Sequence, residues 1–245
     1  MRPDAAWLRP DWPEEGAVTA FMTTRGPNYG RKAGDPAEVR AQREALQPLL
    51  GARPIFLDQV HGATVVQLRP EWHDDNAPAA DAAVSTDPDL AVAILVADCL
   101  PVLFAAPGGV AGAHAGWRGL AAGVLENTVA ELCRAAGCAP GEVRAWLGAC
   151  IGPEAFEVGA EVVRAFGREA VAHDQAGFLY RPNPEPRWRA DLPLLARERL
   201  NAAGVTQISG GGWCTLTDDS RFFSFRGEAL GRPRGRMAAC IALRG

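Results

Sequence analysis

Residues 90–137 read LAVAILVADCLPVLFAAPGGVAGAHAGWRGLAAGVLENTVAELCRAAG. The stretch begins with an uninterrupted apolar run of strand length, Ala91–Ala97, which is typical of a strand buried on both faces. Two more strand-like runs follow at Val102–Ala105 and Val110–His114. The first half of the stretch therefore predicts three strands that follow one another closely in the chain.

The second half of the stretch predicts a helix. After the Gly-Trp-Arg-Gly turn that ends at Gly119, the apolar residues take helical spacing. Gly137 is typical of a helix end, because glycine adopts the left-handed backbone found there without strain. We expect a helix from about Leu120 to Ala136. The residues predicted to form its buried face are Leu125, Val129 and Leu132.

The flanking sequence continues this mixture of short strands and helices. The predicted strands are Val18–Thr23, Ile55–Val60, Thr64–Leu68, Ala82–Ser85, Val143–Leu147, a segment near Ile208, Phe222–Phe225 and Met237–Leu243. The predicted helices run from Pro36 to about Leu46, where Pro48 ends the pattern, from Ala160 to Phe166, and from Leu192 to Ala203. Asp35 is the predicted N-cap of the first of these helices. The order lacks a regular βαβ alternation. It predicts an α+β fold, in one layered domain over residues 1–245 with mixed β-sheets flanked by helices.

Composition narrows the function classes. The chain has 245 residues, of which 48% are hydrophobic and 22% charged, enough for a globular core. It carries 25 basic and 29 acidic residues, and Lys32 is the only lysine. A net charge of -4 argues against nonspecific nucleic-acid binding, which depends on basic residues that neutralise phosphates. Small anionic substrates remain compatible with this balance.

The same sequence shows no sign of a membrane segment or of export. The apolar run at Leu90–Ala97 is far shorter than the roughly 20 residues that a membrane-spanning helix needs. The first ten residues, MRPDAAWLRP, contain no continuous apolar segment of the kind found in secretory signals. Six cysteines at irregular spacings fit a reduced protein better than a disulfide framework. We expect a cytoplasmic protein without a membrane partner.

Three side chains that can bind a metal lie where predicted strands end: His61, Cys99 and His114. Two imidazoles and a thiolate form a plausible ligand set for Zn²⁺, with a fourth position left open as in catalytic zinc sites. Their spacing alone does not decide the matter. In the simpler interpretation, Cys99 is a small buried residue and both histidines are hydrogen-bonded structural groups.

The motifs around these residues lead to a family resemblance. In chain order they are TTRG (23–26), QVHG (59–62), ADA (80–82), ADCLPV (97–102), HAGWRG (114–119), IGP (151–153), FEVG (156–159) and RFFSFR (221–226). They resemble the YfiH family, also called the laccase-domain, multicopper polyphenol oxidoreductase-like or peptidoglycan editing factor family of purine nucleoside phosphorylases. The motifs span almost the whole chain.

The resemblance implies both a metal site and a reaction. His61, Cys99 and His114 would bind zinc, and the activity would be phosphorolysis of adenosine, inosine and methylthioadenosine, with adenosine deaminase side activity. The partners would be purine nucleosides and phosphate. One departure concerns the loop after Arg25, where the family has a longer Gly-rich segment ending in a Leu-Asn-Leu-Gly-like element. The loop here is short, and Asn28 is the candidate to replace the missing Asn.

Other polar residues are candidates for catalysis and phosphate binding. Asp98 and Asp81 are the nearest carboxylates in sequence, and Asp98 is either the acid/base group beside Cys99 and His114 or a structural acceptor. Arg118, near the start of the predicted helix, is well placed to bind phosphate, although a surface ion pair is the alternative. Arg25 and Arg226 are further candidates for bidentate phosphate or ribose contacts.

Alternative functions use the same residues. Cys99 with His114 as base would suit a cysteine hydrolase, and the same cleft would suit an enzyme that edits peptidoglycan precursors. A copper-dependent polyphenol oxidase is the third alternative, because two histidines and a cysteine also bind copper. Only His73 and His173 would then remain for a multinuclear centre, which disfavours that function. The oligomeric state stays open.

Overall fold

The computed structural model describes residues 4–12, 18–73, 75–182 and 184–244. The strands are β1 (Val18–Met22), β2 (Arg53–Phe56), β3 (Val65–Gln67), β4 (Ala82–Ser85), β5 (Leu90–Val96), β6 (Leu100–Ala106), β7 (Gly109–Ala115), β8 (Arg144–Leu147), β9 (Glu157–Val158), β10 (Phe178–Arg181), β11 (Arg187–Ala190), β12 (Gln207–Gly210) and β13 (Met237–Leu243). The helices are α1 (Pro36–Glu44), α2 (Gln47–Leu50), α3 (Trp117–Ala121), α4 (Val124–Ala136), α5 (Ala160–Ala165), α6 (Leu192–Ala202) and α7 (Phe225–Glu228), with 3-10 turns at Arg31–Ala33 and Pro140–Glu142.

Two mixed sheets and a small antiparallel sheet organise these elements. The strand orders are β1-β13-β5-β2, β12-β8-β6-β7-β4-β3 and β10-β11-β9. The β2–β5, β3–β4 and β8–β12 pairs are parallel, and the other pairs within the two larger sheets are antiparallel. This arrangement confirms the expected α+β fold with mixed sheets flanked by helices.

The larger sheets pack face to face. Val92 and Ile94 of β5 lie so close to Gly112 of β7 that a Cβ there would be 2.9 Å from Val92 Cγ1 and 3.0 Å from Ile94 Cγ1. On the opposite face of the six-stranded sheet, α4 buries Leu125 and Leu132 in a second core. The predicted burial of β5 on both faces and the predicted face of α4 are therefore confirmed.

The helix predicted over Leu120–Ala136 is wrong in its first part. The chain becomes helical earlier, in the five-residue α3, and α4 begins only after Gly123. Gly123 has φ 91°, a left-handed conformation that interrupts the α-helical hydrogen-bond pattern. Gly137 ends α4 as predicted, with φ 69°. Arg118 therefore lies in a very short helix, whose dipole is too small to favour an anion strongly.

The predicted strand at Phe222–Phe225 is also wrong. Phe222 and Phe223 are buried without strand pairing, and Phe225 begins α7. Ser224 is the N-cap of α7, because its hydroxyl accepts a hydrogen bond from the Gly227 N–H. Another difference concerns Pro48, which lies inside α2 rather than at the end of a longer helix.

The end of α1 also differs, whereas its start was predicted correctly. Asp35 caps α1 as predicted, accepting from Ala37 N and Glu38 N, but the helix ends at Glu44. The hairpin β10–β11 and the two-residue β9 were not predicted. No helix in the described parts of the chain is long and apolar enough to cross a membrane.

Candidate metal and substrate site

His61, Cys99 and His114 meet at one end of the larger sheets. One ligand atom from each lies within 4.8 Å of the others. Cys99 directly precedes β6, and the β6–β7 register pairs Pro101 with His114, so strand pairing brings the thiol and this imidazole together. The rings of His61 and His114 meet edge to face, with centroids 4.8 Å apart. The three residues can therefore hold one metal ion.

The buried Asp81 carboxylate orients both histidines. Its Oδ1 lies 2.8 Å from the ring atom Nδ1 of His114 and accepts a hydrogen bond from the backbone N–H of His61 at 2.8 Å. Its Oδ2 accepts the Gly62 N–H at 2.6 Å. Because Nδ1 of His114 is engaged in this way, Nε2 is the nitrogen left for a metal, an arrangement common around metal-binding histidines. The sequence placed Asp81 only near the site, and the ADA motif was the one signal of its importance.

The charges of this cluster are strongly coupled. Burial acts to raise the pKa of the Asp81 carboxyl, but hydrogen bonds from His114 and from the Gly62 N–H hold it below its usual value. Burial opposes the thiolate at Cys99 too, yet His114 and His61 lower the pKa of this thiol to about 6. Burial would lower the pKa of His114, whereas Asp81 and Cys99 raise it to about 9. Without a metal, these shifts favour a thiolate at Cys99 beside an imidazolium at His114.

The backbone at the site is strained at two positions. Among the described residues other than glycine, only His61 (φ 62°) and Asp98 (φ 82°) have positive φ. His61 is held in its left-handed conformation by the hydrogen bond that its backbone N–H donates to Asp81 Oδ1. Strain that the surroundings hold in place is common where side chains must be aimed accurately.

Asp98 fastens the turn that carries Cys99. Its carboxylate accepts hydrogen bonds from Thr215 Oγ1 at 2.6 Å, from Ser224 Oγ at 3.0 Å and from the Arg226 N–H at 2.7 Å. Three donors thus occupy the side chain. This pattern agrees with the structural alternative for Asp98, and the donors come from residues far away in the sequence.

Gly116 leaves the space that the cluster needs. A Cβ at this position would lie 3.0 Å from Cys99 Sγ and 3.2 Å from His61 Cδ2. A soft thiolate and two imidazoles are donors that suit Zn²⁺ or copper, and the carboxylate hydrogen-bonded to one imidazole supports that ligand. The residues present therefore fit a bound transition metal, and they do not identify which one.

A cavity of about 1250 Å³ opens beside the cluster, and most of the sequence-predicted residues line it. Arg118 is exposed and its guanidinium carbon lies 4.4 Å from the centre of the Trp117 ring. Arg226 donates from Nη1 to the Glu157 carbonyl oxygen at 2.9 Å. The predicted site residues in this lining are His61, Asp98, Cys99, His114, Arg118 and Arg226.

Arg25 and Asn28 are not part of this lining. Arg25 donates from Nη1 to the carbonyl oxygen of Asp219. Asn28 Oδ1 accepts the N–H groups of Gly30 at 3.0 Å and Arg236 at 2.9 Å. The structure thus shows Asn28 as a loop anchor and gives neither residue a place at the cavity.

Sequence reasoning also missed residues of the cavity. Gln59 holds together two segments of the cavity lining, because its side chain accepts a hydrogen bond from Leu95 N at 2.8 Å and donates one to Leu95 O at 2.9 Å. Phe225 is 62% exposed on the cavity side of α7. A group of four cations also lines the cavity, and the only feature of the sequence that set one of them apart was that Lys32 is the one lysine of the chain. These cations are Arg31, Lys32, Arg234 and Arg236.

Comparison with known proteins places the chain in a family. Residues 16–244 match the family model described as multi-copper polyphenol oxidoreductase laccase. The chain belongs to this laccase-like family. The YfiH resemblance is thereby confirmed, since a relative from Escherichia coli, 42% identical over 249 residues, is named purine nucleoside phosphorylase YfiH and is matched over 97% of its length and 96% of this chain.

Other members of the laccase-like family carry the same enzyme name. A Pseudomonas aeruginosa protein named purine nucleoside phosphorylase is 45% identical over 252 residues, covering 97% of this chain and 98% of the relative. A solved Neisseria meningitidis structure has 37% identity and a TM-score of 0.84, covering 98% of this chain and 100% of its own. YlmD from Geobacillus stearothermophilus has 29% identity and a TM-score of 0.85, over 98% and 96% of the two chains.

Proposed function

We propose that this protein is a zinc-dependent purine nucleoside phosphorylase that cleaves adenosine, inosine and methylthioadenosine with phosphate and deaminates adenosine as a side activity. The observation that carries the proposal is the convergence of His61, Cys99 and His114 in a cavity that also presents Arg118 and Arg226. Relatives named purine nucleoside phosphorylase, 42% and 45% identical, support the reaction class. We further propose that residues 1–245 form one domain that acts in the cytoplasm.

The zinc ion would be held by His61, Cys99 and His114. When bound, zinc supplies Lewis acidity, which polarises an oxygen of water or of the substrate. Asp81 keeps His114 in the orientation that directs Nε2 towards the site. Asp98 acts through the position of Cys99, and of the two roles that the sequence left open for it, structural and acid/base, its three hydrogen bonds favour the structural one.

Phosphorolysis needs a phosphate oxygen in line with C1′ of the ribose. The C1′–N9 bond breaks, a C1′–O bond forms, and the proton of the attacking phosphate passes to the purine nitrogen. Arg118 and Arg226 supply planar guanidinium groups for that phosphate. Trp117 supports Arg118 by a cation–π contact at 4.4 Å, which limits where the guanidinium can lie.

A cysteine hydrolase is the second candidate, and one observation favours it. Asp81, His114 and Cys99 form a hydrogen-bonded series in which the thiol pKa is about 6, the arrangement of an activated thiolate. Editing of a peptidoglycan precursor would use the same cavity. A multinuclear copper oxidase lacks support, because His61, Cys99 and His114 form the one metal-capable group of three or more found among the described residues.

The decisive experiment combines metal analysis with product analysis. The purified protein is assayed on adenosine with and without phosphate, and adenine, hypoxanthine and inosine are separated. We expect about one zinc ion per chain, phosphate-dependent release of adenine, and loss of this release after chelation and in Cys99→Ala. Cys138→Ala, which removes a half-buried thiol that does not line the cavity, is the matched control.

Three outcomes would contradict the proposal. Adenine release at the normal rate by metal-free protein, or by a folded Cys99→Ala variant, would remove the role of the metal. Hydrolysis that survives chelation and is abolished by thiol alkylation would favour the cysteine hydrolase. Phenol oxidation in proportion to bound copper would favour the oxidase.

A further inference from the structure

Four cations form one side of the cavity, and we name them the basic wall: Arg31, Lys32, Arg234 and Arg236. They come from two segments, the 3-10 turn before α1 and the loop between α7 and β13. Neither segment contains a metal-ligand candidate or the proposed phosphate-binding arginines. The proposed metal site at His61, Cys99 and His114 therefore does not explain why the cavity has a basic wall.

Hydrogen bonds hold these two segments together. Asn28 Oδ1 accepts both Gly30 N and Arg236 N, and Tyr29 N donates to Arg236 O at 3.0 Å. A Cβ on Gly30 would lie 2.6 Å from Arg236 Cγ, so the Gly30 backbone lies closely against the Arg236 side chain. The buried Arg43 donates to the Tyr29 carbonyl oxygen from Nε at 2.9 Å and from Nη2 at 2.7 Å. The basic wall is thus built on a fixed backbone.

Two cations of the basic wall, Arg234 and Arg236, share a single carboxylate. Glu228 pairs with Arg236 at 2.8 Å and with Arg234 at 3.5 Å, so one carboxylate faces two guanidinium groups. Asp58 and Asp75 also line the cavity, but among the described residues of its lining the basic side chains outnumber the acidic ones seven to four. The whole chain has a net charge of -4. A basic cavity in an acidic protein concentrates anionic ligands.

The cavity lining includes Lys32, the one lysine of the chain. The chain uses lysine once and arginine elsewhere for its 25 basic residues, and this lysine is exposed on the cavity lining. An ammonium group on a flexible stem binds phosphate as a point charge. The cavity of about 1250 Å³ also exceeds the roughly 300–1,000 Å³ of ordinary small-ligand pockets, so it has room for a larger ligand than a nucleoside.

We propose that the basic wall binds the 5′-phosphate of a nucleotide, and that the substrates include purine nucleoside 5′-monophosphates as well as nucleosides. The inference rests on the proposed phosphorolysis. The bonds that change are the same: C1′–N9 breaks, C1′–O forms with the attacking phosphate, and the proton of that phosphate passes to N9. The products are the free purine and ribose 1,5-bisphosphate, with the 5′-phosphate held by Lys32 and its neighbours throughout.

The test compares adenosine with adenosine 5′-monophosphate on the full chain, with binding measured by equilibrium dialysis in buffer without phosphate. Because a charge-assisted contact to phosphate is worth about tenfold or more, we expect the monophosphate to bind at least about tenfold more tightly than adenosine. In Lys32→Met this ratio falls severalfold, and in Lys32→Arg most of it returns. Arg40→Met is the matched control, because it removes an equal charge from an exposed residue outside the cavity and leaves the ratio unchanged.

Failure of this inference is distinguishable from failure of the proposed function. If the protein cleaves adenosine with phosphate but binds the monophosphate no more tightly than adenosine, the inference is overturned alone. The same holds if Arg40→Met lowers the ratio as much as Lys32→Met, or if Lys32→Met weakens only the binding of orthophosphate. If the ratio depends on Lys32 but adenosine is not cleaved, the nucleotide site is supported and the phosphorolysis is overturned.

Discussion

The His61–Cys99–His114 cluster and the basic wall lie in one cavity, but different interactions hold their side chains in place. At the cluster, the fully buried Asp81 holds His114, and the backbone is strained at His61 itself and at Asp98, the residue before Cys99. In the basic wall, the backbone is fixed but Arg31 and Lys32 extend into exposed space. The cluster thus depends on exact position, whereas the wall depends on summed charge. Perturbations of geometry are expected to damage the first, and perturbations of charge the second.

The largest effect is expected from Asp81→Asn. The Asp81 carboxylate is hydrogen-bonded to the backbone N–H groups of His61 and Gly62 and to Nδ1 of His114, and an amide cannot replace it as the acceptor of all three. We therefore expect metal affinity to fall about 10–100-fold. Metal content after dialysis against a graded chelator measures this. Asp89→Asn, at an exposed position outside the cavity, is the control. Full metal retention by Asp81→Asn would show that the cluster does not depend on this carboxylate.

Gly116→Ala is expected to lower the metal affinity less than Asp81→Asn does. Its Cβ would lie 3.0 Å from Cys99 Sγ and 3.2 Å from His61 Cδ2, and one of these side chains would have to shift by a few tenths of an ångström. Gly141→Ala meets nothing within 4 Å and serves as the control. The same chelator titration separates the two variants. Equal metal affinity in both variants would indicate that the cluster tolerates displacement, and it would contradict our inference that the cluster depends on exact position.

Removal of the metal is expected to make Cys99 reactive. Its pKa is lowered to about 6, so the thiolate is present above that value and lost as the pH falls through it. In stripped protein, the rate of alkylation at Cys99 should rise from pH 5 and approach a plateau by about pH 7, one unit above the pKa. Peptide mass spectrometry follows the reaction. Bound metal should protect the residue, and protection that fails when zinc is restored would remove Cys99 from the ligand set.

The smallest effect is expected from salt, and it should act on the basic wall alone. Raising ionic strength from about 0.01 M to about 0.15 M shortens the Debye length from about 30 Å to about 8 Å. The preference for the monophosphate over adenosine should therefore shrink severalfold, while metal content stays constant. Equilibrium dialysis and metal analysis on the same samples check both. A preference that does not change with salt would mean that the 5′-phosphate is held by buried contacts instead.

Local patterns predicted much of the secondary structure. The apolar run of β5, the Asp35 cap of α1 and the Gly137 end of α4 were read correctly, because each depends on residues within a few positions. The break at Gly123 was missed, since an isolated glycine in a helical pattern is often tolerated. Phe222 and Phe223 were assigned to a strand, a conformation that aromatic residues favour, whereas here they are buried in a hydrophobic core without strand pairing.

The sequence by itself determined the kinds of donor available at the site. Few histidines, one distinctive cysteine motif and a single lysine restricted the chemistry before any contact was known. Only the tertiary structure decided which of these meet. The β6–β7 register puts Cys99 beside His114, Asp81 joins both histidines, and Asn28 fastens the basic wall instead of reaching the cavity. Such contacts link residues far apart in the chain, and they depend on strand register and packing, which no local pattern encodes.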